Sequence, residues 1–93
     1  MRIDMNADHK NEMIQKLYLV ISKLSTPEEC KIFFQDLCTN KEIEQMAQRI
    51  ESALLLKQGM TYTQVIEQTN ISSATLSRVS RALQYGEGYK KFI

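Results

Sequence analysis

The stretch Ser25-Thr26-Pro27-Glu28-Glu29 can begin a helix and can do little else. Thr26 can accept from the free N–H groups of a first turn. Pro27 at the first helical position loses nothing by lacking an N–H. Glu29 completes a capping box, and both glutamates suit the positive end of the helix dipole. A helix is expected from there to about Leu37, with Cys30, Phe33, Phe34 and Leu37 as its apolar stripe. Thr39-Asn40-Lys41-Glu42 repeats the capping pattern and starts a further helix carrying Ile43, Met46, Ala47, Ile50, Ala53 and Leu54-Leu55-Leu56. Gly59, just past Lys57-Gln58, is a good terminator for it. Upstream, Met13, Ile14, Leu17, Val20, Ile21 and Leu24 recur at helical spacing, which predicts a first helix over residues 9–24. Tyr18 and Leu19 widen that stripe beyond one face, so this helix needs a second partner.

Pro27 is the single proline and there are three glycines in 93 residues, so long stretches are free of helix breakers. No alternating strand pattern competes. The expected fold class is all-α, with five to six helices in one domain over residues 1–93. Residues 1–8 are polar and expected to be frayed or extended. Residues 85–93 hold Gly86, Gly88 and two lysines and are expected to be loosely ordered, with Tyr89, Phe92 and Ile93 able to dock. Apolar residues at 43% and charged residues at 25% give a globular rather than a disordered balance. A chain this short builds a modest core alone, and dimerisation would enlarge it.

Several function classes drop out. Cys30 and Cys38, with His9 the single histidine, do not make a zinc site and read as small buried hydrophobes. No apolar run approaches the roughly 20 residues of a membrane span, and no export signal stands out. Free thiols then point to the cytoplasm. Nothing supplies a nucleophile–base pair, paired carboxylates or a metal cluster, so no enzyme, metal or cofactor is expected.

Net charge is only +1, but it is unevenly spread. Residues 49–93 hold Arg49, Lys57, Arg78, Arg81, Lys90 and Lys91 against Glu51, Glu67 and Glu87. The C-terminal half therefore faces anions better than the N-terminal half. Residues 61–83 of that half read as a helix-turn-helix. Val65 and Thr69 share one face of a first short helix, Ile71 lies in the turn, and Leu76, Val79 and Leu83 share one face of the second. Asn70 stands where the turn needs a positive φ, and Ser72 is placed to cap the second helix. The opposite face offers Ser73, Ala74, Ser77, Arg78 and Arg81. Small side chains let a helix approach the floor of the major groove, and arginine reaches guanine or phosphate. Ala74 or the methyl of Thr75 could meet a thymine methyl. The expected DNA-binding residues are Thr61, Ser72, Ser73, Ala74, Thr75, Ser77, Arg78 and Arg81, on double-stranded DNA. The competing reading is a protein-interaction module with the same fold and no DNA binding.

With these residues read, residues 28–86 resemble the Trp repressor family, most closely its YerC/YecD branch. The residues that carry this are Phe33-Phe34-Gln35-Asp36-Leu37-Cys38-Thr39, Glu42, Arg49, Leu54-Leu55-Leu56, Gly59, Ala74-Thr75-Leu76-Ser77-Arg78 and Arg81-Ala82-Leu83-Gln84-Tyr85-Gly86. The resemblance implies an intertwined homodimer and a role as a repressor. Residues 9–58 would then serve dimerisation and core, residues 61–84 the helix-turn-helix, and residues 85–93 a tail. Trp repressor itself sets its two recognition helices about one helical turn of DNA apart. The family's effector pocket uses a threonine, an arginine, and an arginine followed by glycine. Thr39, Arg49 and Arg78 match the first three and mark a candidate effector or anion site. Val79 stands where the glycine belongs, so tryptophan is not the expected co-repressor. Arg49 also reads as a half-buried residue paired with Glu42, Glu44 or Glu51.

Overall fold

The computed structural model describes residues 5–93, with side chains from residue 7 onward. Six α-helices lie among them: α1 Met5–Ile21, α2 Pro27–Leu37, α3 Asn40–Lys57, α4 Tyr62–Thr69, α5 Ser73–Tyr85 and α6 Glu87–Phe92. Of the expectation for residues 1–8, the first four lie outside the described residues. Residues 5–8 belong to α1 rather than to a frayed lead. They carry no apolar stripe, but Asp8 lies in the first turn, where a negative charge suits the helix dipole. The same helix stops three residues before Leu24. The Ser22 hydroxyl donates to the carbonyl of Leu19 at 2.7 Å, and Lys23 and Leu24 close tighter turns onto Val20 and Ile21. A serine that bonds the preceding turn competes with helix continuation in this way.

The helix starts follow the side-chain chemistry. At α2 the backbone N–H of Glu29 donates to Thr26 Oγ1 at 3.1 Å, as a cap should. The return bond falls one residue upstream of the expected box. Glu29 Oε1 accepts from the backbone N–H of Ser25 at 2.9 Å and from its hydroxyl at 3.0 Å. Ser25 offers two donors to one oxygen, and this double grip replaces the single bond from Thr26. At α3 the box is complete: Glu42 N–H donates to Thr39 Oγ1 at 3.1 Å, and Thr39 N–H donates to Glu42 Oε1 at 2.8 Å. The far end of α3 closes at Gly59, φ 95°. Gly59 N–H reaches the Leu56 carbonyl and Met60 N–H the Leu55 carbonyl, the paired bonds of a Schellman stop.

The chain divides into two compact units after Leu37. In the first, no described residue is fully buried. Met13, Ile14, Leu17, Tyr18, Leu19 and Val20 of α1 are all exposed, Leu19 by 64%. The second unit holds the core, made of Ala53 and Leu55 from α3, Val65 from α4, Ile71 from the turn, and Leu76 and Val79 from α5. Burying each of the larger aliphatic side chains is worth about 1.5–3 kcal/mol. The stripe expected on α3 is only partly the buried one, since Ile50 is 49% and Leu54 38% exposed. The face of α3 that meets α4 and α5 runs instead through Gln48, Ser52 and Leu55, one helical row.

The tail departs from expectation, because α6 is a helix rather than loose chain. Tyr89 and Ile93 pack on the core, while Phe92 is 80% exposed. The two cysteines are half-buried free thiols.

The caps carry a pH dependence. The bonds from Thr39 hold the Glu42 carboxyl below its ordinary 4.5, the backbone N–H contributing most. Folding therefore favours the ionised form. Its stabilisation is complete above the ordinary value and is lost as pH falls through the folded value. Glu42→Gln is expected to be less stable than wild type at neutral pH and to lose less stability between roughly pH 5 and pH 3. Urea midpoints across that range check this, and parallel acid losses would contradict it.

Candidate nucleic-acid interface

The interface candidate is α5, and its presentation begins at the turn before it. Asn70 ends α4 in the left-handed region, φ 59° and ψ 21°, with its N–H on the Ile66 carbonyl at 2.8 Å. It is the one non-glycine residue with positive φ among the described residues. Asparagine tolerates this conformation better than other residues with a Cβ. Two residues on, Ser72 caps α5. Its Oγ accepts the Thr75 N–H at 3.1 Å and donates to Thr75 Oγ1 at 2.9 Å.

A polar bracket ties this turn to α3. The Thr69 hydroxyl donates to the Val65 carbonyl at 2.8 Å and accepts from Ser52 Oγ and Ile71 N–H, both at 3.3 Å. Gln48 Nε2 donates to the Thr69 carbonyl at 2.7 Å. Ser52 is fully buried. A buried hydroxyl needs partners, and Thr69 supplies one at the place where α4 stops. Apolar spacing assigns Thr69 to the small core but passes over Gln48 and Ser52, because it skips polar residues. A signal for them does exist in the sequence: both lie on the helical row that continues to Leu55.

The two faces of α5 separate cleanly. Leu76 and Val79 are buried, and Leu83 is half-buried. Ser73, Ala74, Ser77, Arg78 and Arg81 are exposed, so five of the eight expected contact residues share the outward side of one helix. Ser72 is exposed but committed to its cap. Thr75 is half-buried and turned partly toward α3. Thr61 is exposed at the start of α4, where Oγ1 accepts the Gln64 N–H at 3.2 Å in a complete capping box. This box is not among the sequence-based expectations.

Between α3 and α5 lies an open cleft of about 370 Å³, lined by Arg49, Thr75, Arg78, Val79, Ala82 and Tyr89. A second, polar cleft beside it is lined by Gln45, Gln48, Arg49, Asn70, Ser72 and Thr75. The expected effector trio is thus only partly assembled. Arg49 and Arg78 share the first cleft. Thr39 is spent on the α3 cap and sits ten residues before Arg49, about 15 Å along the helix. Arg49 is exposed rather than half-buried, and among the described residues it forms no ion pair with Glu42, Glu44 or Glu51. It stands on the side of α3 that lines the cleft with α5, and Glu42, two turns earlier on the same face, is bonded to the Thr39 cap. Val79 is 3% exposed and belongs to the core. Tyr89, from the helical tail, is a cleft residue that the sequence does not single out.

The turn supports a direct test. Asn70→Gly should leave the urea midpoint within a few tenths of a kcal/mol of wild type, whereas Asn70→Val should cost more than about 1 kcal/mol, because a branched Cβ resists positive φ. Equal midpoints for the two variants would contradict the turn assignment.

Comparison with known proteins agrees with this architecture. The model of the Trp repressor protein family matches residues 12–93. YerC of Bacillus subtilis, an uncharacterised protein, is 44% identical over 77 residues, covering 83% of this chain and 74% of its own length. A crystal structure from Staphylococcus aureus, of a protein assigned as a Trp repressor, superimposes with a TM-score of 0.79 at 41% identity, over 86% of this chain and 81% of that one. A TrpR-like protein from Eubacterium eligens does so at 0.79 and 40%, over 86% of this chain and 84% of that one.

Proposed function

The chain belongs to the Trp repressor family, and from that premise we propose that it is a sequence-specific DNA-binding regulator, a cytoplasmic repressor that works as a homodimer with α5 in the major groove. The observation that carries this reading is the outward face of α5. A helix held rigidly by Leu76 and Val79 exposes small polar residues and two arginines along one side. Ser73, Ala74 and Ser77 permit close approach to base edges, while Arg78 and Arg81 reach guanine or phosphate. Thr61 and the capped start of α5 lie at helix N-termini, where a phosphate is favoured.

The homodimer is supported by the first unit. Six large apolar side chains of α1 lie exposed, and none of its described side chains is fully buried. A contiguous apolar face of that kind marks an interface. In this reading residues 1–93 form one repressor-like domain whose first helices serve assembly and whose helix-turn-helix reads DNA. A second copy accounts for the α1 face, so a foreign protein partner is not required.

Tryptophan is not the effector in this proposal. Val79 stands where the family's pocket has glycine, so a branched side chain, packed on the core, narrows the cleft where an indole would enter. Arg49 and Arg78 leave a basic cleft that suits an anion better than an indole. An amino-acid thermal-shift screen tests this, and a rise of several degrees with tryptophan would overturn it.

The DNA reading is tested by fluorescence anisotropy on duplexes selected from a random pool, at several salt concentrations. Arg78 and Arg81 are exposed, so replacing them should leave the fold intact. Arg78→Ala with Arg81→Ala is expected to weaken binding by about tenfold or more. It should also flatten the salt dependence by about 0.9 log units per log unit of salt for each phosphate that the variant no longer neutralises. Unchanged affinity and slope would contradict the assignment.

A further inference from the structure

The C-terminal helix is too short to stand alone. Six residues are well below the roughly 12–15 at which an isolated helix becomes marginal in water, so α6 is held by what it touches. Three contacts hold it. At its start, the Gly86 N–H donates to the Ala82 carbonyl at 2.6 Å, and the chain turns directly over the last turn of α5. A Cβ on Gly86 would lie 2.5 Å from that same carbonyl oxygen, so only glycine permits the turn. In its middle, Tyr89 packs on the core and lines the cleft between α3 and α5 with Arg49 and Ala82. At its end, Lys57 Nζ, from the last turn of α3, donates to the Ile93 carbonyl at 2.6 Å.

These contacts bridge the C-terminal ends of α3 and α5. The start of α5 is already fixed by Ile71, Leu76 and Val79. Past Val79, its last six residues, 80–85, include none that is fully buried. We infer that α6 is a built-in strut that sets the tilt of α5 against α3, with Tyr89 as the positioning residue. Tyr89 is not one of the proposed DNA contacts and acts through Ala82 and the end of α5. The consequence is that the presentation of Arg78 and Arg81 depends on residues 87–93.

The functional part of this inference rests on the DNA-binding reading, and the structural part does not. The full-length protein is compared with Tyr89→Ala, Tyr89→Phe and Lys57→Met by amide hydrogen exchange and by DNA anisotropy. In Tyr89→Ala, exchange across residues 80–85 is expected to quicken by about tenfold or more, while residues 43–55 of α3 stay protected. Affinity for selected DNA should fall by about tenfold with an unchanged salt slope, because every phosphate-binding side chain is still present. Tyr89→Phe should keep both wild-type values, and Lys57→Met should show the same localised quickening to a smaller degree. The inference is overturned if Tyr89→Ala leaves α5 exchange unchanged, or if α3 and α5 loosen together. Should Tyr89→Ala fail to fold, Lys57→Met decides on the same criterion. If the wild type selects no DNA at all, the regulatory reading falls and the exchange result alone judges the strut.

Discussion

The second unit depends on how α4 and α5 are fastened to α3. Six buried side chains meet there, and none is larger than leucine or isoleucine. A core so small leaves little margin, so orientation has to come from directional bonds as well. The Thr69 hydroxyl supplies them. It satisfies Val65, Ser52 and Ile71 at the point where α4 gives way to the left-handed turn at Asn70. Apolar packing brings the helices together without fixing their angle closely, whereas a saturated hydroxyl with Gln48 beside it fixes the turn against α3. From that point Ser72 restarts the chain as α5, and the outward direction of Ser73, Ser77, Arg78 and Arg81 follows.

What can be read in the sequence is whatever local chemistry decides. The starts of α2, α3 and α5 lie where Thr26, Thr39 and Ser72 predict, because an N-cap acts within four residues. Asn70 is legible for the same reason, as is Gly59. The core of the helix-turn-helix is visible in the spacing of Val65, Ile71, Leu76 and Val79. Less legible is whatever depends on distant chain. The face of α3 that is buried carries Gln48 and Ser52, which apolar periodicity passes over. The helical state of residues 87–92 is imposed by docking of Tyr89 and Ile93, and two nearby glycines hide it. The arginines at 49 and 78 can be paired with the cleft only once α3 and α5 are packed.

The two units divide the work differently. The second closes a small core and presents a polar, basic helix face, while Ile50, Leu54, Tyr85 and Phe92 stay exposed beside it. The first leaves its apolar side chains uncovered, with Leu19 and Ile32 among the most exposed. So many exposed apolar side chains in a small protein fit assembly better than a monomer. The proposed homodimer would account for this, since it would cover α1 and double the proposed DNA-reading helices. In the proposed reading, Val79 is where this chain would depart from control by tryptophan. The side chain that completes the core of the reading head also takes the place where an indole would need a glycine.

The central claim is that α5 meets DNA while α1 meets a second copy. Backbone NMR of the labelled protein, titrated with a selected duplex, tests both halves at once. The account predicts a dimeric tumbling time before DNA is added, followed by shifts concentrated at Thr61 and from Ser72 to Arg81, with residues 13–20 unmoved. A monomer, or DNA-induced shifts centred on α1 with α5 unchanged, would contradict it.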